Sequence, residues 1–312
     1  MTDNTYIDNT YKFVHNLITN AGNIRGMEFT ASLILGPVVG ALLTILYQKL
    51  RNIIGFLPSR RIIRGLIDKD HKVSIAIASI GLKEFKLIKE KGTSKLPGNV
   101  NLISVYDALG AAYLQDNISE LFKKTKVKIY SSYAFQSYDQ NIITIGGSSV
   151  NNITYSLMED RKIDQRFRII YPDHYATDIF EGEEIRFNAK IRNVDESIVE
   201  DYGFIIMAKS PFNPKKKVCV LAGLWPYGTY GAIYSIVNPK DTGLYKGWKG
   251  LRNKKNGFFA AIRISVAEEN PGVPSLVYIR EIDSPVFSYS QKASGQSEDD
   301  SQGYIYNPII FP

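Results

Sequence analysis

The sequence predicts an α/β fold: a Rossmann-like, mostly parallel sheet with added antiparallel strands, preceded by one N-terminal transmembrane helix. Three observations predict it. Residues 29–47 run without a single charge. Short β-branched runs then alternate with helical patterns, the signature of strands joined by crossover helices. Two of those runs end in glycine-rich turns that open into helices, the arrangement in which open α/β sheets hold ligands.

The totals set the frame. At 312 residues, with 44% hydrophobic and 22% charged, the chain is ordinary for a globular protein and can bury a sizeable core. A net charge of +7 and a pI near 9.1 suit an anionic partner such as nucleotide, nucleic acid or phospholipid surface, and suit plain solubility equally well. Cys219 is the only cysteine, which rules out an intrachain disulfide. Three histidines (His15, His71, His174) and one cysteine make a His- or Cys-rich zinc site a poor fit, so no metal or cofactor is expected.

The uncharged run reads FTASLILGPVVGALLTILY, broken only by Thr30, Ser32 and Thr44. As a helix it would extend about 28 Å, close to the hydrocarbon thickness of a bilayer. A cleavable secretory signal fits less well, because mostly polar residues 1–28 precede it. Gly36 and Gly40 form a small-xxx-small pair through which two such helices could pack into a homo-oligomer. After the run come Lys49, Arg51, Arg60, Arg61 and Arg64, with no acid before Asp68. Basic flanks stay in the cytoplasm. The organisation expected is therefore a short extracytoplasmic segment (1–28), a single membrane pass (29–47) and a basic juxtamembrane linker (48–70) able to lie on an anionic leaflet. A cytoplasmic α/β domain (71–290) and a polar, flexible tail (291–312) follow.

Within the domain, residues 73–80 (VSIAIASI) read as a strand buried on both faces, and residues 126–133 and 141–147 as two more. Residues 102–124 carry Val105, Leu109, Ala112, Tyr113, Leu121 and Phe122 at helical spacing. Residues 148–160 read as a helix. Residues 167–172, 184–191, 202–209 and 217–223 are strands, followed by a helix in the second half of LWPYGTYGAIYSIV. Residues 238–257 form a glycine-rich loop with six basic residues, and residues 258–267 and 275–282 close the sheet.

The first glycine turn is Gly146-Gly147-Ser148-Ser149-Val150-Asn151. Glycines permit positive φ and close approach of a ligand, while Ser148, Ser149 or Asn151 can cap the helix whose free N–H groups favour an anion. The second runs from Gly223 through Trp225 to Gly228, Thr229 and Gly231. There Thr229 can cap, and Trp225, Tyr227 and Tyr230 offer flat faces for a ring. Neither turn matches a P-loop or a dinucleotide fingerprint, and glycine is needed at strand-to-helix turns on steric grounds alone. The ligand-binding set expected is Gly146, Gly147, Ser148, Ser149, Asn151, Asp201, Gly223, Trp225, Gly228 and Thr229.

The order IGG-x-x-x-N, DYG (201–203), S-P-F-N-P (210–214), LAG (221–223) and GTYGA (228–232) resembles a pattern in poorly characterised prokaryotic proteins. Those proteins join a Rossmann-like domain to a regulatory or membrane-anchoring segment. The resemblance covers residues 141–237 and implies the fold rather than an activity. The turns are also similar to those of Rossmannoid nucleotide-sensor and nucleoside-transferase domains, although the first turn lacks the further glycine of the sensors.

Candidate acid–base groups are Asp107, Asp173, Asp178, Glu183, Glu184 and Asp201, with His174 beside Asp173. Asp107 interrupts an apolar helix; burying an unpaired carboxylate is costly, so it is expected to face solvent. His174 reads as part of an aspartate-capped turn. No G-x-S-x-G elbow is present. Lys215, Lys216, Lys217 and the basic loop with Trp248 could meet phosphates, which keeps nucleic acid open as a partner, although solvated lysines explain them more simply. The function expected is a membrane-anchored signalling or effector protein that binds a small anionic, nucleotide-like ligand. A membrane-tethered hydrolase or transferase acting on a nucleotide or nucleoside, with Asp201, Glu183 or Glu184 as nucleophile or base, is the first alternative. A scaffold without a small ligand is the second.

Overall fold

A computed structural model describes residues 43–45, 57–67, 71–81, 101–135, 137–170, 175–194 and 196–282. The chain divides into two units, residues 1–56 and 57–312. In the first unit residues 43–45 are helical, with Leu43 and Ile45 exposed. The rest of the expected membrane pass lies outside the described residues, as do segment 1–28, Asp173, His174 and the tail 291–312. Among the described residues no helix is long and apolar enough to cross a membrane.

In the second unit the strands of three or more residues are β1 (Lys72–Ile77), β2 (Lys126–Ser131), β3 (Asn141–Ile145), β4 (Arg168–Ile170), β5 (Tyr175–Phe180), β6 (Glu183–Asn188), β7 (Ile198–Lys209), β8 (Lys217–Gly223), β9 (Gly257–Ala267) and β10 (Ser275–Glu281). The helices are α1 (Val105–Leu121), α2 (Asn152–Tyr155, continued by a π turn at Ser156–Asp160), α3 (Pro226–Val237) and α4 (Leu244–Gly250). The main sheet runs β2-β1-β3-β8-β7-β9-β10. Its first four strands are parallel, and β7, β9 and β10 join antiparallel. The fold is thus mixed α/β, with a largely parallel centre extended by antiparallel strands. β4, β5 and β6 form a separate antiparallel sheet instead of extending the main one.

Period-two alternation decides which layer each strand residue serves. On one face Val73, Ile75, Ile143, Ile145, Ile205, Leu221 and Ile262 pack against α1, α3 and the segment around Ile62, Ile63 and Leu66. On the other, Ala76, Ile142, Phe204, Ile206, Val220 and Phe259 meet the α2 region and the small sheet. There Phe167 sits 4.7 Å from Phe204 and 4.6 Å from Phe259 between ring centroids. Arg280 of β10 ties the small sheet down. Its Nε donates to Asp178 Oδ2 at 2.7 Å and its Nη2 to Asp164 Oδ2 at 2.8 Å, all three side chains being buried.

Three expectations are corrected here. The linker expected over 48–70 is in part domain: residues 57–63 are helical, Arg64–Leu66 is a 3-10 turn, and Ile62, Ile63 and Leu66 are buried in the core. Their apolar side chains gain more from that core than from a leaflet surface. The loop expected over 238–257 contains α4, which packs Leu244 and Trp248 on the core. Helix α1 forms, yet it buries Gly110, Ala111, Leu114 and Ile118, and leaves Val105, Leu109 and Tyr113 exposed. Gly110 meets Ile233 of α3 so closely that a Cβ there would lie 2.3 Å from its Cδ1. Small residues set that face because the α1–α3 contact is tight.

Candidate functional site

β1 lies between β2 and β3; its crossover through α1 leads to β2, whereas β3 leads away toward β8. The winding therefore reverses between β1 and β3, and their carboxyl ends frame a topological switch point. The ladder continues past both strands, with Ala78 N–H donating to Ile145 O at 2.8 Å and Gly146 N–H to Leu221 O at 2.9 Å. The two glycine turns consequently leave neighbouring parallel strands at the same sheet edge.

At the first turn Gly146 has φ +104°, and a Cβ on it would lie 2.5 Å from the Ala78 Cβ. Only glycine fits. Asn151 is fully buried and caps α2. Its Oδ1 accepts from Ile153 and Thr154 N–H at 3.0 and 3.1 Å, while its Nδ2 donates to Ala76 O and Ile145 O at 3.1 and 2.9 Å. Those four bonds use its whole capacity, so Asn151 binds the β1–β3 edge to the helix and has nothing left for a ligand. Thr154 Oγ1 bonds Gly146 O at 3.0 Å. Val150 and Asn151 N–H groups turn back onto Gly147 O. The N–H groups of Gly147, Ser148 and Ser149 have no acceptor among the described residues. Gly147 and Ser148 are buried and Ser149 is exposed.

Beside this turn stands the start of α1. Its N-cap, Ser104, makes no side-chain capping bond, which leaves the first-turn N–H groups uncapped. Asp107 lies in that first turn, and its Oδ2 is 3.6 Å from where a Gly146 Cβ would be. Contrary to expectation Asp107 is 5% exposed, and its Oδ1 has no hydrogen-bond partner among the described residues. Burial pushes its pKa up to about 7. The sequence signal was an acid inside an apolar helix; the helix turns Val105, Leu109 and Tyr113 outward and this carboxyl inward. Tyr106, on the same turn, packs on Tyr227 of α3 at 4.8 Å between ring centroids.

The second turn is closed by the protein itself. The fully buried Asp201 of β7 accepts from Tyr202 N–H at 2.7 Å, Trp225 N–H at 3.2 Å and Gly228 N–H through Oδ2. Its carboxyl occupies the anion position at the start of α3. Burial pushes its pKa up to about 8, against the pull of the Gly228, Tyr202 and Trp225 donors. A Cβ on Gly203 would lie 2.0 Å from Gly228 O, one on Gly228 2.1 Å from Tyr202 O, and one on Gly223 2.3 Å from Thr229 N. These glycines let α3 pack directly on β7 and β8. The N-cap of α3 is Trp225, so Thr229 lies inside the helix, 3% exposed, and does not cap it.

The ten expected residues thus fall into two adjoining groups: Gly146, Gly147, Ser148, Ser149 and Asn151 at β3, and Asp201, Gly223, Trp225, Gly228 and Thr229 at β8. Glu183 and Glu184 are exposed on β6, in the separate small sheet, and Asp178 is bound to Arg280. Among the described residues no three His, Cys, Asp or Glu side chains gather to hold a metal ion. No protein-family model matches the chain, and no curated protein matches it.

Proposed function

We propose that the chain is a membrane-anchored effector protein, held by residues 29–47, whose cytoplasmic Rossmann-like domain binds a small anionic, nucleotide-class ligand at the β3 turn. The supporting observation is the pairing of the unaccepted N–H groups of residues 147–149 with the uncapped start of α1 at the switch point. Both are donor arrays of the kind that cradle phosphate. Asp107, buried between them, serves as a proton donor to the ligand when protonated and as an acceptor for a ligand hydroxyl when ionised. The anchor and its orientation rest on the uncharged run and the basic residues after it.

Isothermal titration of the full-length chain in nonionic detergent against a panel of nucleotides tests this reading. Binding of at least one member is expected, weakened about tenfold or more by Gly147→Val and stripped of its pH dependence by Asp107→Asn. No binding, or binding indifferent to both changes, overturns it and leaves the scaffold reading.

A second reading, a tethered hydrolase or transferase, draws on one observation. A buried carboxyl with a pKa near 7 is poised for general acid–base work. Product formed during the same incubations, and abolished by Asp107→Asn, would favour it over a sensor.

A further inference from the structure

The opposite end of the sheet carries a cleft. Lys217 opens β8, and Asn141 at the start of β3 fixes its surroundings: Asn141 Oδ1 accepts from Lys217 N–H at 2.7 Å, and its Nδ2 donates to Leu66 O at 2.7 Å. This clamp holds segment 57–66 against the amino ends of the parallel strands. Between that segment, the end of β7, the start of β9 and α4 opens a cleft of about 140 Å³ lined by Arg61, Gly65, Lys217, Trp248, Lys254 and Lys255, among others.

Four of those side chains are cations, and no carboxylate lines the cleft among the described residues. Two are partly engaged. Arg61 Nη1 donates to Tyr245 Oη at 2.6 Å, and Lys254 Nζ donates to Leu251 O and Lys249 O at the end of α4. Lys217 and Lys255 have no acidic partner among the described residues. The Lys217 ammonium packs over Gly65, 3.2 Å from where a Cβ would stand. Burial and the nearby Lys209 charge together lower its pKa, the mark of a cation that has lost water without gaining a counter-ion. Gathering like charges around a half-enclosed space raises the energy of the empty protein, and an anion placed there relieves it.

We propose that this cleft is a phosphate-binding site, distinct from the switch point, in which Lys217, Lys255 and Arg61 hold the phosphate group of a small molecule or of a lipid headgroup. The cleft has room for one phosphate-bearing group. An extended nucleic-acid strand would need a groove, so a small ligand fits better. Trp248 does not supply a free stacking face, since Tyr245 stacks on it and Lys254 Nζ sits 5.4 Å from its ring centroid. Recognition therefore rests on charge, and affinity falls as salt rises.

The test is titration of the full-length chain in nonionic detergent with sodium pyrophosphate, with dioctanoyl phosphatidic acid, and with uncharged dioctanoyl glycerol. One or both phosphate compounds should bind and the glycerol should not. Lys217→Met, which keeps the apolar stem, should weaken binding at least tenfold, whereas Glu183→Gln, exposed on β6 in the separate small sheet, should leave it unchanged. Preference for pyrophosphate assigns a soluble ligand, and preference for phosphatidic acid a headgroup. If Lys217→Met fails to fold, the exposed pair Arg61→Gln with Lys255→Gln decides in its place. The proposal is overturned if neither phosphate compound binds, if the variants bind as well as the unmodified chain, or if a single-stranded oligonucleotide binds more tightly than both and neither displaces it.

Discussion

The two glycine turns look alike in sequence and are used differently. Each ends a parallel strand, each opens a helix, and Gly146 N–H bonds Leu221 O across the pair. At β8 the helix start is filled from within: Asp201 accepts from three backbone N–H groups, and three glycines let α3 lie directly on the sheet. At β3 the capping side chain, Asn151, reaches the α2 amides one turn further on, and the N–H groups of residues 147–149 find no acceptor among the described residues. The difference teaches that a glycine-rich turn acquires its role from what else approaches it. A buried carboxyl that accepts from three N–H groups makes one a structural joint, whereas the carboxyl beside the other, Asp107, accepts from none of them and leaves a set of unspent donors.

The comparison breaks most severely at the joint. Gly228→Ala would set a Cβ 2.1 Å from Tyr202 O, backbone against backbone, so α3 and β7 must part. A loss of about 4 kcal/mol or more in chemical denaturation, or failure to fold, is expected. Asp201→Ala comes next. It leaves the buried Gly228 N–H and the half-buried Tyr202 and Trp225 N–H groups without that acceptor, at about 3 kcal/mol, while Asp201→Asn keeps one acceptor oxygen and should lose less. An Asp201→Ala chain as stable as the unmodified one would mean that the carboxylate is not a cap. At the β3 turn Gly146→Ala must relieve a contact of 2.5 Å with Ala78 at positive φ, an expected loss of about 2 kcal/mol measured the same way.

The sequence made some of this legible and hid the rest for physical reasons. Short continuous apolar runs such as VSIAIASI and KVCVLAG announced buried strands, because both faces of a central strand must be apolar. The strands FRIIYP and EIRFNAKI were equally readable, but their departure into a separate sheet was not. Arg280, about a hundred residues away, anchors Asp178 there, and no local pattern reports such a partner. Asp107 misled because helical periodicity marks a stripe without saying which side faces the sheet. The tight Gly110–Ile233 contact, a tertiary fact, settles that. The segment 57–66 misled in the opposite way, its arginines drawing attention from Ile62, Ile63 and Leu66, which the core takes.

The smallest effect is the most informative, because it belongs to the turn whose donors find no acceptor among the described residues. Asp107 titrates near 3.8 when unfolded and near 7 when folded. Between those values the folded state keeps a proton that the unfolded state releases, so stability must fall as pH rises from about 4 to about 7 and level off above. Asp201, also raised, pushes the same way, so only a variant isolates Asp107. Asp107→Asn should flatten the profile by about 1–2 kcal/mol between pH 5 and pH 8, below the roughly 2.6 kcal/mol that a rise from 3.8 to about 7 gives over that window, since relaxation around the charged form reduces the penalty. An anionic ligand at residues 147–149 prefers the protonated carboxyl, so its affinity should rise as pH falls through 7, and Asp107→Asn should remove that rise. If stability and affinity show no dependence on pH that Asp107→Asn abolishes, the carboxyl is not turned toward the donors of the β3 turn, and the contrast between the two turns loses its functional half.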